Sequence, residues 1–370
     1  PKLGERQVHL FPVALVCSLL LFMTGGLSSF MPLGEAISHA FIMGTYPAEE
    51  ADVLAAERAY CEMEKELEDE LDHYEARHPG CDEYNVKAQE IWHDPYALCA
   101  IISAYLGGEE WTIDSAYPVM ERYFKLQYVL TEKITTETRY RTEQRVGQQL
   151  VTDPKTGAQR WESYTYEVEV PHTYRICDVK LENKNLSHQP VYSMSREKMG
   201  LYALYMSTLG NMPDLFAGKP HASQLKDPLL YDVPEEYKQA DPQFGKLIEE
   251  AEKYLGFPYV WGGSSPDTSF DCSGFVSYVF TNSGVYNTGR LGATGLYGIC
   301  QKITADEARP GDLIFFEGTM GEDVGGITHV GLYVGDNMMI HCGNPITYAD
   351  LTRTYWQQHF YGFGRIPYDP

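Results

Sequence analysis

Cys272, His329 and His341 are the residues whose types and spacing could do chemistry. Cys272 lies in Asp271-Cys-Ser-Gly274, ahead of a run with helical spacing, Phe275, Val276, Tyr278, Val279 and Phe280. Asp271 fits an N-cap, whose carboxylate accepts from the free N–H groups of a first turn. A thiol at that end feels the positive pole of the helix dipole, which is expected to lower its pKa and favour the nucleophilic thiolate. A cysteine nucleophile needs a base. His329 sits inside an alternating apolar stretch, Gly326 to Gly335, and a second strand, Met338 to Cys342, follows with His341 in it. Two histidines on adjacent strands facing one helix N-terminus would give a nucleophile, a base and a residue that orients the base. The chemistry is then acyl transfer. With Cys342 the same residues would also make four zinc ligands. Cys342, however, adjoins His341 on a strand and so points to the opposite face. The reading therefore calls for no metal and no cofactor.

The elements that must position these groups begin at Phe257. Phe257 to Val260 reads as a strand edge. Gly262-Gly263 then allows a sharp turn or a close backbone approach. Tyr259 and Trp261 would line the pocket, with core packing as the equal alternative for Trp261. Phe244 to Tyr254 is expected as a helix that opens this part of the chain.

Five ordered segments carry a resemblance: Tyr259-Val-Trp-Gly-Gly263, Phe270-Asp-Cys-Ser-Gly274, Arg309-Pro-Gly-Asp-Leu-Ile-Phe-Phe316, Thr328-His-Val-Gly-Leu-Tyr-Val-Gly335 and Met339-Ile-His341. Together they make residues 244–370 resemble the NlpC/P60 family of cell-wall cysteine peptidases, which have a papain-like fold. The resemblance implies Cys272 as nucleophile, His329 as base and His341 as the orienting residue. It implies that Tyr259, Asp271 and Ser273 shape a pocket for the amine of a peptidoglycan stem peptide. It implies cleavage between γ-D-glutamate and a diamino acid. A wall-binding module without activity, or an amidase or acyltransferase on the same fold, remains the alternative. The front of the chain also resembles that of wall hydrolases encoded on Gram-positive conjugative elements, which implies secretion-channel proteins as partners.

The chain has 370 residues and a net charge of −23, from 29 basic and 52 acidic side chains. Acids outnumber bases in residues 244–370 as well. That excludes the basic footprint of a nucleic-acid binder. The scattered cysteines show no C-x-x-C spacing. Cys300 and Cys342 could form a disulfide or stay as buried thiols.

Ahead of the catalytic part, Leu10–Phe30 is apolar and free of Asp, Glu, Lys and Arg. About 20 such residues can span a bilayer. Lys2 and Arg6 precede it, so the bulk of the chain is expected outside the cytoplasm. Residues 1–35 are expected as a membrane anchor, or as a signal cleaved near Gly25-Gly26. Residues 36–81 hold a helix over Ala48–Arg77 with a dense acidic face and an apolar stripe of Tyr60, Met63, Leu67, Leu71 and Tyr74. A solvated helix packed on the next element fits this stripe better than a coiled-coil stalk. Residues 82–216 are expected as a small α+β spacer or partner-binding domain: a helix over Glu90–Gly107, strands over Met120–Val146 and Arg160–Leu181 joined as a long hairpin, and a helix over Ser193–Leu209. Glu109 and Glu110, beside Trp111, are the local acids for a muramidase, but acids at a helix end are ordinarily solvated. Residues 217–243 read as a proline-rich linker. The fold class expected overall is α+β, with a transmembrane helix, a hairpin domain and a C-terminal papain-like domain.

Overall fold

The computed structural model describes residues 43–320 and 325–368. Leu10–Phe30 lies outside the described residues. Among the described residues, no helix is long and apolar enough to cross a membrane.

The described chain divides into two compact units. One comprises residues up to 60, 92–127 and 184–370; the other comprises 61–91 and 128–183. The segments 36–81 and 82–216 are thus each shared between the units.

The smaller unit is built on a hairpin. Its strands β2 (Tyr128–Thr152) and β3 (Gln159–Asn183) pair antiparallel along their whole length. At about 3.3 Å per residue, each spans roughly 80 Å. The turn between them is closed by Asp153, whose carboxylate accepts from the N–H groups of Lys155 and Thr156. A short strand β1 (Glu83–Ala88) adds in parallel to β3. The core of this unit lies at the base of the hairpin, where Leu71, Tyr74, Cys177, Val179 and Leu181 are buried. Tyr74 donates to Glu132 at 2.7 Å.

The larger unit opens with the first turns of helix α1 (Glu50–Asp72), whose Val53, Ala56 and Tyr60 are fully buried. Helix α2 (Pro95–Tyr105) is capped by Asp94, with Pro95 in its first turn, where its missing N–H costs nothing. It is apolar nearly all round and buried from Pro95 to Ala104. Helix α3 (Ile113–Gln127) corrects the expectation of strands from Met120. Residues 120–127 are helical because Ala116, Val119, Met120, Tyr123 and Gln127 fall on one buried face, a period of 3.6 rather than 2. Helix α4 (Arg196–Thr208) packs on α2 and is capped by Ser195. Residues 217–234 run without regular structure.

Helix α5 (Pro242–Glu252), capped by Asp241, starts the C-terminal part. Helix α6 (Cys272–Asn282) follows, and after it α7 (Ala293–Ile299), β4 (Gln301–Ile303), β5 (Leu313–Glu317), β6 (Ile327–Gly335), β7 (Met338–Cys342), β8 (Ile346–Asp350), α8 (Thr354–His359) and β9 (Phe360–Arg365). The strands form one antiparallel sheet in the order β8-β7-β6-β5-β9-β4. Alternate residues of the central strands enter two cores. Leu313, Phe315, Val330, Leu332 and Ile340 pack with α5 and α6. Ile314, Phe316, Met339 and Phe363 form a smaller cluster, against which Trp356 of α8 packs. Burial on both faces is why these strands read as continuous apolar runs.

Candidate active site

Three local features place Cys272 at the first position of α6. Asp271 caps the helix, its carboxylate accepting from Gly274 N–H at 2.6 Å. The buried face of Phe275, Val276, Val279 and Phe280 anchors the helix in the core. Gly274 lets the turn before the helix press against it, because a Cβ there would stand 2.1 Å from the Gly263 carbonyl oxygen. Gly262 itself has φ +76°.

The thiol lies against the strand that carries His329. Its side-chain hydrogen bond runs to the Thr328 carbonyl at 4.0 Å, and no hydrogen bond joins it to His329. His329 and His341 project from neighbouring strands β6 and β7 to the same face, and His329 Nε2 lies 2.9 Å from His341 Nδ1. Trp356 covers the pair, stacked on His329 and edge-on to His341. Cys342 points to the other face and donates to the Phe270 carbonyl at 3.2 Å. Cys300 and Cys342 are both free thiols.

Electrostatics correct the expectation of a resting thiolate. Burial pushes the Cys272 thiol up to about 12, with the Asp271 charge adding to the rise. The backbone N–H groups of Val330 and Ser273 act in the opposite direction but are outweighed. Burial pushes His329 down to about 4 and His341 well below its ordinary value. Desolvation of a side chain that is only 6% exposed therefore outweighs the favourable end of the helix. Burial thus favours the neutral thiol and the neutral imidazoles.

Asp271 and Ser273 belong to a network around Arg290. The Arg290 guanidinium reaches Asp271 at 2.5 Å and Ser273 Oγ at 3.0 Å. Ser273 donates to Asp271 at 2.9 Å, and Asp271 also accepts from Gly262 N–H at 3.1 Å. Tyr259 is paired by its N–H to Asn344 and bridged to Phe270. Trp261 is half-buried. Its indole N–H donates to Tyr192 at 3.3 Å, and its ring stacks on His188 with centroids 4.0 Å apart.

Two cavities meet at these residues. One, of about 440 Å³, is lined by Asp271, Cys272, Ser273 and Arg290. The other, of about 330 Å³, is lined by His329, His341, Asn344 and Trp356. Tyr259, Trp261 and Thr328 border both. The structure thus brings together all seven residues singled out in the sequence. Arg290, Trp356 and His188 are additions. Arg290 could have been noticed as an isolated base between two apolar helices. Trp356 and His188 carry no local signal. Glu109 and Glu110 are exposed and Trp111 is buried, its indole donating to Ser103, so no apolar pocket holds an acid there.

Residues 256–365 match the NlpC/P60 family. This part of the chain is an NlpC/P60 family domain. Curated relatives include the bifunctional muramidase/DL-endopeptidase CwlT of Bacillus subtilis, 46% identical over 121 residues, which are 32% of this chain and 36% of CwlT. The probable endopeptidase p60 of Listeria seeligeri is 46% identical over 122 residues, 32% of this chain and 22% of p60. The match thus spans about a third or less of the length of either relative. Among solved structures, an NLP/P60 family protein of Staphylococcus aureus, described as similar to lipoprotein, is 31% identical, with a TM-score of 0.33, covering 49% of this chain and 65% of that one. In the NlpC/P60 domain, the Cys272 helix and the His329–His341 strands both fall inside the matched residues.

Proposed function

We infer that the protein is a cysteine peptidase that hydrolyses peptidoglycan stem peptides, with Cys272 as nucleophile, His329 as base and His341 as the residue that orients it. The observation that carries this reading is Cys272 at a helix start against β6, with His329 tied to His341 at 2.9 Å on the neighbouring strand. His341 occupies Nε2 of His329, which leaves Nδ1 as the nitrogen available to the thiol. For Nδ1 to accept a proton, Nε2 must carry one and donate it to His341 Nδ1.

Because the resting pair is neutral, the thiolate forms when substrate is bound. The Cys272 proton passes to His329, and sulfur attacks the scissile carbonyl to form the C–S bond. The oxyanion is met by N–H groups at the start of α6, that of Cys272 included. The C–N bond then breaks, and His329 gives its proton to the departing amine. Water, deprotonated by His329, hydrolyses the thioester and restores the thiol.

The γ-D-glutamyl–diamino acid bond is the substrate bond this reading favours. Its support is the family domain together with Arg290, whose guanidinium beside Cys272 suits the free α-carboxylate that a γ-linked glutamate retains. Tyr259, Trp261, Asp271 and Ser273 line the same space. The apolar stretch Leu10–Phe30, preceded by Lys2 and Arg6, supports action outside the cytoplasm from a membrane anchor. A role in opening the wall for a conjugation channel rests on the likeness of the front part of the sequence alone.

The test is a digest of purified muropeptides with wild-type and Cys272→Ala protein, read by mass spectrometry. Loss of the γ-D-glutamyl–diamino acid bond with the wild type only is the expected outcome. Cleavage that survives the substitution would move the activity elsewhere in the chain. Binding of stem peptides without cleavage by either protein would favour a wall-binding module.

A further inference from the structure

The cavity on the histidine side is not built by the family domain alone. Asp94, His188, Tyr202 and Met206 form its other wall, and all four precede residue 256. Several independent contacts hold this wall in place. His188 stacks on Trp261, and Tyr192 accepts the Trp261 N–H. Arg196 pairs with Asp267 at 2.5 Å. A Cβ on Gly262 would stand 2.3 Å from Val191 Cγ2, so the Val191 side chain packs into space that glycine leaves open.

The mechanism assigns the two cavities to the two sides of the scissile bond. Sulfur bonds the acyl carbon, so the acyl residue occupies the cavity lined by Cys272 and Arg290. His329 protonates the departing amine, so the leaving residue occupies the cavity lined by His329. Asp94 borders that second cavity and is 8% exposed. Its carboxylate accepts from Tyr96 N–H at 3.0 Å, Ser223 N–H at 3.1 Å and the Ser223 hydroxyl at 2.5 Å. These partners are all neutral, and no cation pairs with Asp94 among the described residues. Asp94 also caps α2, whose N-terminal dipole offsets part of its charge, and an amine entering the cavity would supply the side-chain counter-cation it lacks.

We propose that Asp94, His188 and Tyr202 form the leaving-group subsite, and that it selects a leaving residue bearing a side-chain amine. Asp94 faces that amine. His188 is a positioning residue that acts through Trp261. This rests on the cysteine-peptidase reading above and adds residues from outside the family domain to its specificity.

The experiment uses the full chain and two synthetic γ-D-glutamyl peptides with the same acyl part. One has lysine as leaving residue and the other norleucine, which has the same carbon chain without the amine. Wild type is expected to favour lysine in kcat/KM by about tenfold or more, as expected of a site built to pair a polar group of its substrate. Asp94→Asn should bring the ratio near one, chiefly by lowering kcat/KM for the lysine peptide. His188→Ala should raise KM for both peptides with little change in kcat, and His188→Phe, which restores a stacking ring, should recover it. Cys272-dependent hydrolysis of both peptides at equal rates by the wild type would overturn the subsite and leave the peptidase reading standing. Equal losses on both peptides in Asp94→Asn, with an unchanged thermal melt, would do the same. Absence of any Cys272-dependent hydrolysis would overturn both. Where Asp94→Asn fails to fold, the His188→Ala and His188→Phe pair decides, since an unchanged KM on both peptides in His188→Ala would overturn the subsite.

Discussion

Two sheets in this protein use the same backbone for opposite ends. The hairpin pair β2–β3 exposes most of its length: Val146 is 72% and Trp161 67% exposed. The six-stranded sheet buries the central strands on both faces, and Leu313 to Phe316 are all buried. A pair of strands with water on both faces has few contacts to fix a side chain within a fraction of an ångström. A sheet packed on both faces holds each side chain in one rotamer. The chemistry sits on the second kind. His329 and His341 are held by the pairing of β6 and β7 and by Trp356. Tyr140, Trp161, Tyr164 and Tyr166 of the hairpin are exposed and not core, so substitutions of equal size should have unequal costs in the two sheets.

The largest contrast is expected from Phe315→Ala against Trp161→Ala. Phe315 is fully buried, so its loss should cost about 3–5 kcal/mol. Trp161→Ala should stay within about 0.5 kcal/mol of wild type in denaturant unfolding. Comparable costs would break the contrast.

His341→Ala should lower kcat by about 10²- to 10⁴-fold with little change in KM, measured on purified muropeptides. Val146→Thr, on the hairpin, should leave both parameters unchanged.

A glycine pair sharpens the picture at the backbone. Gly157→Ala in the hairpin turn should cost about 1–2 kcal/mol, because φ is +71° and nothing lies within 4 Å. Gly274→Ala should cost more, because its Cβ would meet the Gly263 carbonyl oxygen at 2.1 Å. Thermal melts of the two variants would rank them.

A further contrast is in the pH dependence of stability. His188 and His329 are both pushed down to about 4 by burial, so the folded state prefers the neutral rings. Their contribution is complete above the unfolded value of about 6.5 and is lost as pH falls toward 4. Cys272 is pushed up to about 12 from an ordinary value of 9.0, so its contribution is present below 9 and lost as pH rises toward 12. The melting temperature should therefore be flat between about pH 6.5 and 9 and fall on either side. His188→Phe should soften the acid limb; an unchanged limb would place the proton uptake elsewhere.

Much of the candidate site was legible because its signals are local. A capping aspartate, a cysteine and a helical run announce α6, and apolar runs announce β6 and β7. The hairpin was legible from its alternation and its Asp153-Pro-Lys-Thr-Gly157 turn. Residues 120–127 read as strand because a short window with Met120, Tyr123 and Gln127 fits either period until the preceding Ala116 and Val119 are counted. The rise of the Cys272 thiol is not legible in sequence, because the helix end is visible there and burial is not. Arg290, Trp356 and His188 reach the site through folding, across separations that no local pattern records.

The most direct test of the account is to quench the protein during turnover of a muropeptide and map acyl adducts by mass spectrometry. The account predicts a hydroxylamine-sensitive thioester on Cys272, retained longer when His341 is replaced. Turnover without an adduct on Cys272, and undiminished by Cys272→Ala, would contradict it.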